Sequence, residues 1–175
     1  MFTNHINFKN FKNKNKNKKY FIEKDLKSVL KENNQVINSL SKFYQDSFDK
    51  RNIKHFKKKF DYRIIGMGGS TLGAQAIYNF LKKKIKKKFI FVDNLNAHEN
   101  KKTKKNFNNL IISKSGNTIE TIVNANILIK KRDKNLFITE KKESYLSLLA
   151  QKLKAEVIDH NNYIGGRYSV LSEVG

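Results

Sequence analysis

At 175 residues, 38% hydrophobic and 11% aromatic, the chain is long enough for one ordinary domain with a modest core. The absence of cysteine excludes a disulfide framework and thiolate metal sites and fits a reducing, cytoplasmic compartment; no metal and no cofactor is expected. A net charge of +22 would suggest nucleic acid or an anionic membrane, yet the lysines fall in runs at 82–84, 86–88, 101–102 and 104–105 that flank apolar stretches. With no basic helix carrying base-reading Asn or Arg and no aromatic stacking set, these runs read as solvated helix ends and loops. Weak, salt-sensitive affinity for polyanions is expected, and no specific nucleic acid.

Residues 1–19 alternate Asn, Lys and Phe without an apolar h-region, which excludes a secretory signal or a membrane span there, and the Lys/Asn tract at 9–19 is expected to fray. From 20 to 60 the spacing turns helical. Phe21, Leu26, Val29 and Leu30 form one stripe and Val36, Ile37, Leu40, Phe43, Tyr44 and Phe48 another, which predicts two helices packed outside a sheet.

At Asp61 the period changes, and 61–175 reads as one domain. Short apolar strands at 62–65, 89–92, 110–112, 136–139 and 155–158 alternate with helices, one with Ile77, Phe80 and Leu81 as its inner face, one over 119–131 with Ile119, Ile122, Val123 and Ile127, and one over 144–153. The polar segment 94–109 holds at most one short helix. Five alternations of strand and helix predict an α/β fold with a five-stranded parallel sheet flanked by helices. Right-handed crossovers then bring every strand-to-helix loop to one sheet edge, where ligands bind.

Three loops at that edge carry the chemistry. The first, Gly66-Met67-Gly68-Gly69-Ser70-Thr71-Leu72-Gly73, partly matches a dinucleotide fingerprint with Asp93 closing the next strand, but the third glycine position falls on Thr71. A Walker loop is excluded because no Gly-Lys-Ser/Thr occurs, and the plain alternative is a tight turn without ligand. The second, Ser113-Lys114-Ser115-Gly116-Asn117-Thr118, runs from a strand into a helix start. Unpartnered amides and the helix dipole gather anions there, Ser113, Ser115 and Thr118 add hydroxyl donors, and Gly116 allows close backbone approach. This reads as a phosphate cradle. Asn117 followed three residues later by Glu120 predicts a capping box worth about 1 kcal/mol. The third, Gly165-Gly166-Arg167-Tyr168-Ser169, presents a guanidinium after a sharp turn, a permanent cation suited to oxyanions. His98 and His160 lie near strand ends and read as surface or structural residues.

With these three motifs in order, the chain from Asp61 onward resembles the phosphoglucose isomerase family, and residues 1–60 fit loosely as its helical N-terminal region. The Ser113–Thr118 motif alone is common to sugar isomerase (SIS) domains, whereas Gly165–Ser169 is particular to this isomerase. The resemblance implies a three-layer SIS-type domain preceded by N-terminal helices. It also implies interconversion of glucose 6-phosphate and fructose 6-phosphate through an enediol(ate), in glycolysis and gluconeogenesis. By the same resemblance, Ser113, Lys114, Ser115 and Thr118, with Gly116 and Asn117, would hold the phosphate, Gly69 and Ser70 would contact the sugar, and Arg167 would stabilise the enediolate. The family's loop often carries an aromatic where Gly116 stands.

The family's base glutamate, ring-opening histidine and late lysine have no counterpart in these 175 residues, so a truncated chain that binds without turnover is expected, as is a family homodimer and no membrane association. The alternatives are a stand-alone sugar-phosphate-binding SIS module of regulatory kind, and a basic protein that binds polyanions.

Overall fold

The computed structural model describes residues 16–32, 34–49, 51, 54–57, 61–95 and 107–174. Five strands rich in β-branched and aromatic residues, β1 (Asp61–Ile65), β2 (Phe89–Val92), β3 (Phe107–Ile112), β4 (Lys134–Thr139) and β5 (Glu156–Asp159), form one parallel sheet in the order β2-β1-β3-β4-β5. Alternation along each strand feeds two cores, because a parallel sheet is buried on both faces. Ile64, Ile112, Leu136, Ile138 and Ile158 point to one face, where Phe56, Val174 and Ala74 of α3 (Leu72–Leu81) join them. Ile65, Ile111 and Phe137 point to the other, under Ala125 of α4 (Ile119–Leu128) and Leu146 and Ala150 of α5 (Tyr145–Leu153). The predicted three-layer α/β architecture with its five parallel strands is the one observed. Before the sheet lie α1 (Lys16–Lys31), α2 (Gln35–Ser39) and a 3-10 turn, Lys54–Lys57.

Several local expectations are corrected. Of the tract expected to fray, residues 9–15 lie outside the described residues and 16–19 belong to α1, and the α1 stripe is not packed against the sheet: Phe21, Leu26, Val29 and Leu30 are all exposed. The second predicted helix stops at Ser39. Ser41 Oγ accepts from Phe43 N at 3.2 Å, a local bond that competes with helix continuation, and Phe43 is left 79% exposed. On α3 the inner face is rotated from the predicted one. Ala74 reaches the core and Tyr78 packs on Phe89 and Phe91, while Phe80 is 88% exposed and Ile77 is also exposed. On α4, Thr121, Asn124 and Ala125 are buried and Ile119, Val123 and Ile127 face out; the helix ends at Leu128, short of residue 131.

The polar segment before β3 hides strand residues. Asn108 and Asn109 are buried in β3, which is possible because their amide nitrogens find partners: Asn108 Nδ2 donates to Phe56 O at 3.3 Å, and Asn109 Nδ2 to Asn135 Oδ1 at 2.8 Å. Residues 96–106, with His98 and two of the lysine runs, lie outside the described residues. Lys82, Lys83, Lys84, Lys86 and Lys88 are exposed at the end of α3 and in the turn after it, as solvated helix-end residues.

Candidate functional site

A sheet ordered 2-1-3-4-5 has its topological switch point between the first and third strands, where successive connections leave in opposite directions and open a crevice at the carboxyl edge. Ile65 pairs with Ile111, so the loops that follow β1 and β3 start side by side at that point. One leads into α3 and the other into α4, on opposite faces of the sheet. Both helix starts therefore flank the crevice.

Out of β3, Ser113 is buried and its amide donates to Ile138 O at 3.1 Å, extending the ladder by one residue. Its hydroxyl lies 2.9 Å from Thr118 Oγ1 and 3.5 Å from Ser115 Oγ, so three hydroxyls converge on one spot. Gly116 turns the chain at φ 68°, a region that disfavours any other residue, and its amide donates to Ser113 O at 3.1 Å. Thr118 is the N-cap of α4 and makes no side-chain cap bond, so the first amides of α4 have no partner within the helix. The predicted capping box is thus absent. Asn117 serves the neighbouring helix instead, its Oδ1 accepting from Tyr145 N at 2.9 Å, while Gly116 O accepts from Leu146 N at 3.1 Å. The loop is therefore built onto the start of α5, which Ser144 and Ser147 close with a reciprocal cap.

Lys114 turns away from the hydroxyls. Its Nζ donates to Asn162 O at 2.7 Å and lies 3.3 Å from Glu140 Oε1. Burial alone would raise the Glu140 pKa, but hydrogen bonds from Lys142 and Lys114 outweigh it and hold the carboxyl below its usual range. Lys114 contributes a nearby charge and fixes the loop's flank; its side chain does not join the cluster of hydroxyls.

The glycine loop and the arginine loop meet each other. Gly68–Ser70 forms a 3-10 turn, and a Cβ on Gly69 would stand 2.0 Å from the Gly166 carbonyl oxygen and 3.0 Å from Arg167 N. A Cβ on Gly73 would likewise stand 2.2 Å from Val170 Cγ2. These glycines make room for the backbone that carries Arg167. Asp93, the acidic residue of the partial fingerprint, accepts from Gln75 Nε2 at 3.0 Å and from Asn94. Arg167 is the second residue of the 3-10 turn Gly166–Leu171, is exposed, and has no ion-pair partner among the described residues.

A family model described as phosphoglucose isomerase matches residues 3–175. The chain belongs to the phosphoglucose isomerase family. No curated protein matches it. Among solved structures, a hypothetical protein (TT0462) from Thermus thermophilus is 25% identical with a TM-score of 0.57, covering 66% of this chain and 31% of that one. The tagatose-6-phosphate ketose/aldose isomerase of Escherichia coli is 14% identical with a TM-score of 0.51 over 86% of this chain and 40% of that one. The Vibrio vulnificus NanR protein, complexed with ManNAc-6P, is 21% identical with a TM-score of 0.50 over 71% and 47%. The last two likenesses concern the fold. This phosphoglucose isomerase family chain spans less than half the length of each of the three.

One cluster escaped the sequence altogether. Glu173, with its side chain fully buried, accepts from Tyr44 OH at 2.7 Å, Ser47 N at 3.1 Å and Asn161 Nδ2 at 3.3 Å, and lies 3.1 Å from His160 Nδ1. His160 is accordingly structural and buried, not at the surface. Its partner Glu173 is 13 residues away, and Tyr44 lies 129 residues from Glu173, so no local pattern could announce the contact. No helix among the described residues is long and apolar enough to cross a membrane.

Proposed function

We propose that the crevice between the β1 and β3 loops binds the phosphate of a hexose 6-phosphate, as part of a cytoplasmic glucose-6-phosphate isomerase of glycolysis and gluconeogenesis. The observation that carries this reading is the convergence of Ser113, Ser115 and Thr118 hydroxyls in front of the unpartnered first amides of α4. A dianion there would replace the hydroxyl-to-hydroxyl bonds with charge-assisted ones, which are the stronger kind. Gly69 and Ser70 would then face the sugar, and Arg167, a cation without a carboxylate partner among the described residues, would stabilise the enediolate as the C2 proton moves to C1. The family homodimer would complete the site. Among the described residues none is assigned as the general base, and on this reading the chain alone binds and does not turn over.

Calorimetric titration with fructose 6-phosphate tests the reading. Ser113→Ala combined with Thr118→Val should weaken binding about a hundredfold or more, since each of the two lost bonds to a charged group is worth about 1.5–3 kcal/mol. Binding untouched by the double substitution would place the ligand elsewhere. Isomerisation by the purified chain would reveal a base among its own carboxylates.

A further inference from the structure

Arg167 is exposed and makes no ion pair among the described residues, so its position depends on what holds the segment beneath it. From one side Gly69 and Gly73 receive Gly166 and Val170. From the other, the two ends of the segment are tied together. His160, directly after β5, meets Glu173 at 3.1 Å through Nδ1, and its Nε2 lies 3.2 Å from Ile164 O. A carboxylate and a carbonyl are both acceptors, so both ring nitrogens are satisfied together only when each carries a proton. The same carboxylate gathers Tyr44, Ser47 and Asn161, and Ser47 Oγ donates to Asp159 O, which binds the 44–47 stretch under the loop. Burying a carboxylate is costly unless donors surround it, and here four groups from two other segments, 44–47 and 160–161, do so.

Resting on the reading of Arg167 given above, we propose that Glu173 is a positioning residue: through His160 it closes the base of the 160–173 loop and holds Arg167 toward the crevice. It touches no substrate, and none of its partners belongs to the 113–118 loop. Phosphate affinity is therefore independent of Glu173, whereas affinity for a ligand with negative charge at the far end of the sugar is not.

Inorganic phosphate and 6-phosphogluconate, whose carboxylate supplies that second charge, separate the two contributions in a titration series. Glu173→Ala should weaken 6-phosphogluconate about tenfold and leave phosphate within about twofold. Glu173→Gln should restore most of the affinity, because a neutral His160 can donate from Nε2 to Ile164 O and accept the Gln amide at Nδ1. In an Arg167→Ala background, Glu173→Ala should have no further effect. Equal weakening of both ligands, or an undiminished effect without Arg167, overturns the positioning role. If Glu173→Ala does not fold by circular dichroism, Tyr44→Phe withdraws one donor without opening a cavity and should weaken 6-phosphogluconate alone about threefold. A Tyr44→Phe chain equal to wild type on both ligands then overturns the proposal. Loss of all phosphate binding in the wild type would remove the site reading itself, and the inference with it; intact phosphate binding with an indifferent Glu173 removes only the inference.

Discussion

Replacing Gly69 by alanine puts one methyl group between two backbones. The new Cβ would lie 2.0 Å from the Gly166 carbonyl oxygen and 2.5 Å from its carbon. Ordinary carbon-to-oxygen contact needs about 3.3 Å, so the glycine loop and the arginine loop must separate by roughly 1.3 Å. No rotamer change relieves a clash with main chain. Overpacking of this kind costs about 1–3 kcal/mol, which lowers Tm by about 2–12 °C for a chain of this size. The displaced Arg167 should also lose most of its contribution to 6-phosphogluconate affinity, since misplacement by about 1 Å is enough to cost two orders of magnitude at a reacting centre. Two neighbours serve as controls. Gly166→Ala meets nothing within 4 Å and should be nearly silent; Gly68→Ala also has open space but sits at φ 55° and should cost about 1–2 kcal/mol. Thermal melts and titrations of the three variants give the ranking. A neutral Gly69→Ala, or a Gly166→Ala as damaging as it, would refute the close packing of the two loops.

Asn117→Ala removes the acceptor from Tyr145 N and should cost about 1 kcal/mol, a fall in Tm of about 2–4 °C, with no stabilising effect traceable to Glu120. Thr121→Val removes a buried hydroxyl that has no partner among the described residues, so Tm should hold or rise by up to about 4 °C; a clear fall would mean that the hydroxyl is satisfied. Burial would push Glu173 up, but the donors around it, Tyr44 foremost, hold it below its ordinary value of 4.5. Its folded value thus lies under its unfolded one, and the stability it supplies is complete above about pH 4.5 and is lost as pH falls below that value. Melts from pH 7 to 3 should show that loss, and Glu173→Gln should flatten it; parallel curves would contradict the assignment.

The fold was legible because period and length agreed: five short apolar runs alternating with helical patterns leave few topologies besides a parallel sheet with helices on both faces. The 113–118 loop was legible for a related reason, since strand end, hydroxyl-rich turn and helix start are contiguous in sequence. What stayed hidden depends on contacts between distant segments. The inner face of α3 was misplaced and that of α4 only partly read, Ile122 packing on the core while Ile119, Val123 and Ile127 face out, because both helices carry more apolar residues than the sheet can cover and small residues, Ala74 and Ala125, fit closest to it. Asn108 and Asn109 read as loop because burial of an amide depends on partners such as Phe56 O and Asn135 that no local pattern reveals. Asn117 has a capping residue's composition but is engaged by a helix 28 residues away.

Amide chemical shifts of the labelled chain during titration with inorganic phosphate test the phosphate site most directly. The largest changes should fall on residues 115–121, with the exposed lysines at 82–88 unmoved. Changes confined to those lysines, or none at all, would contradict a dianion site at the start of α4.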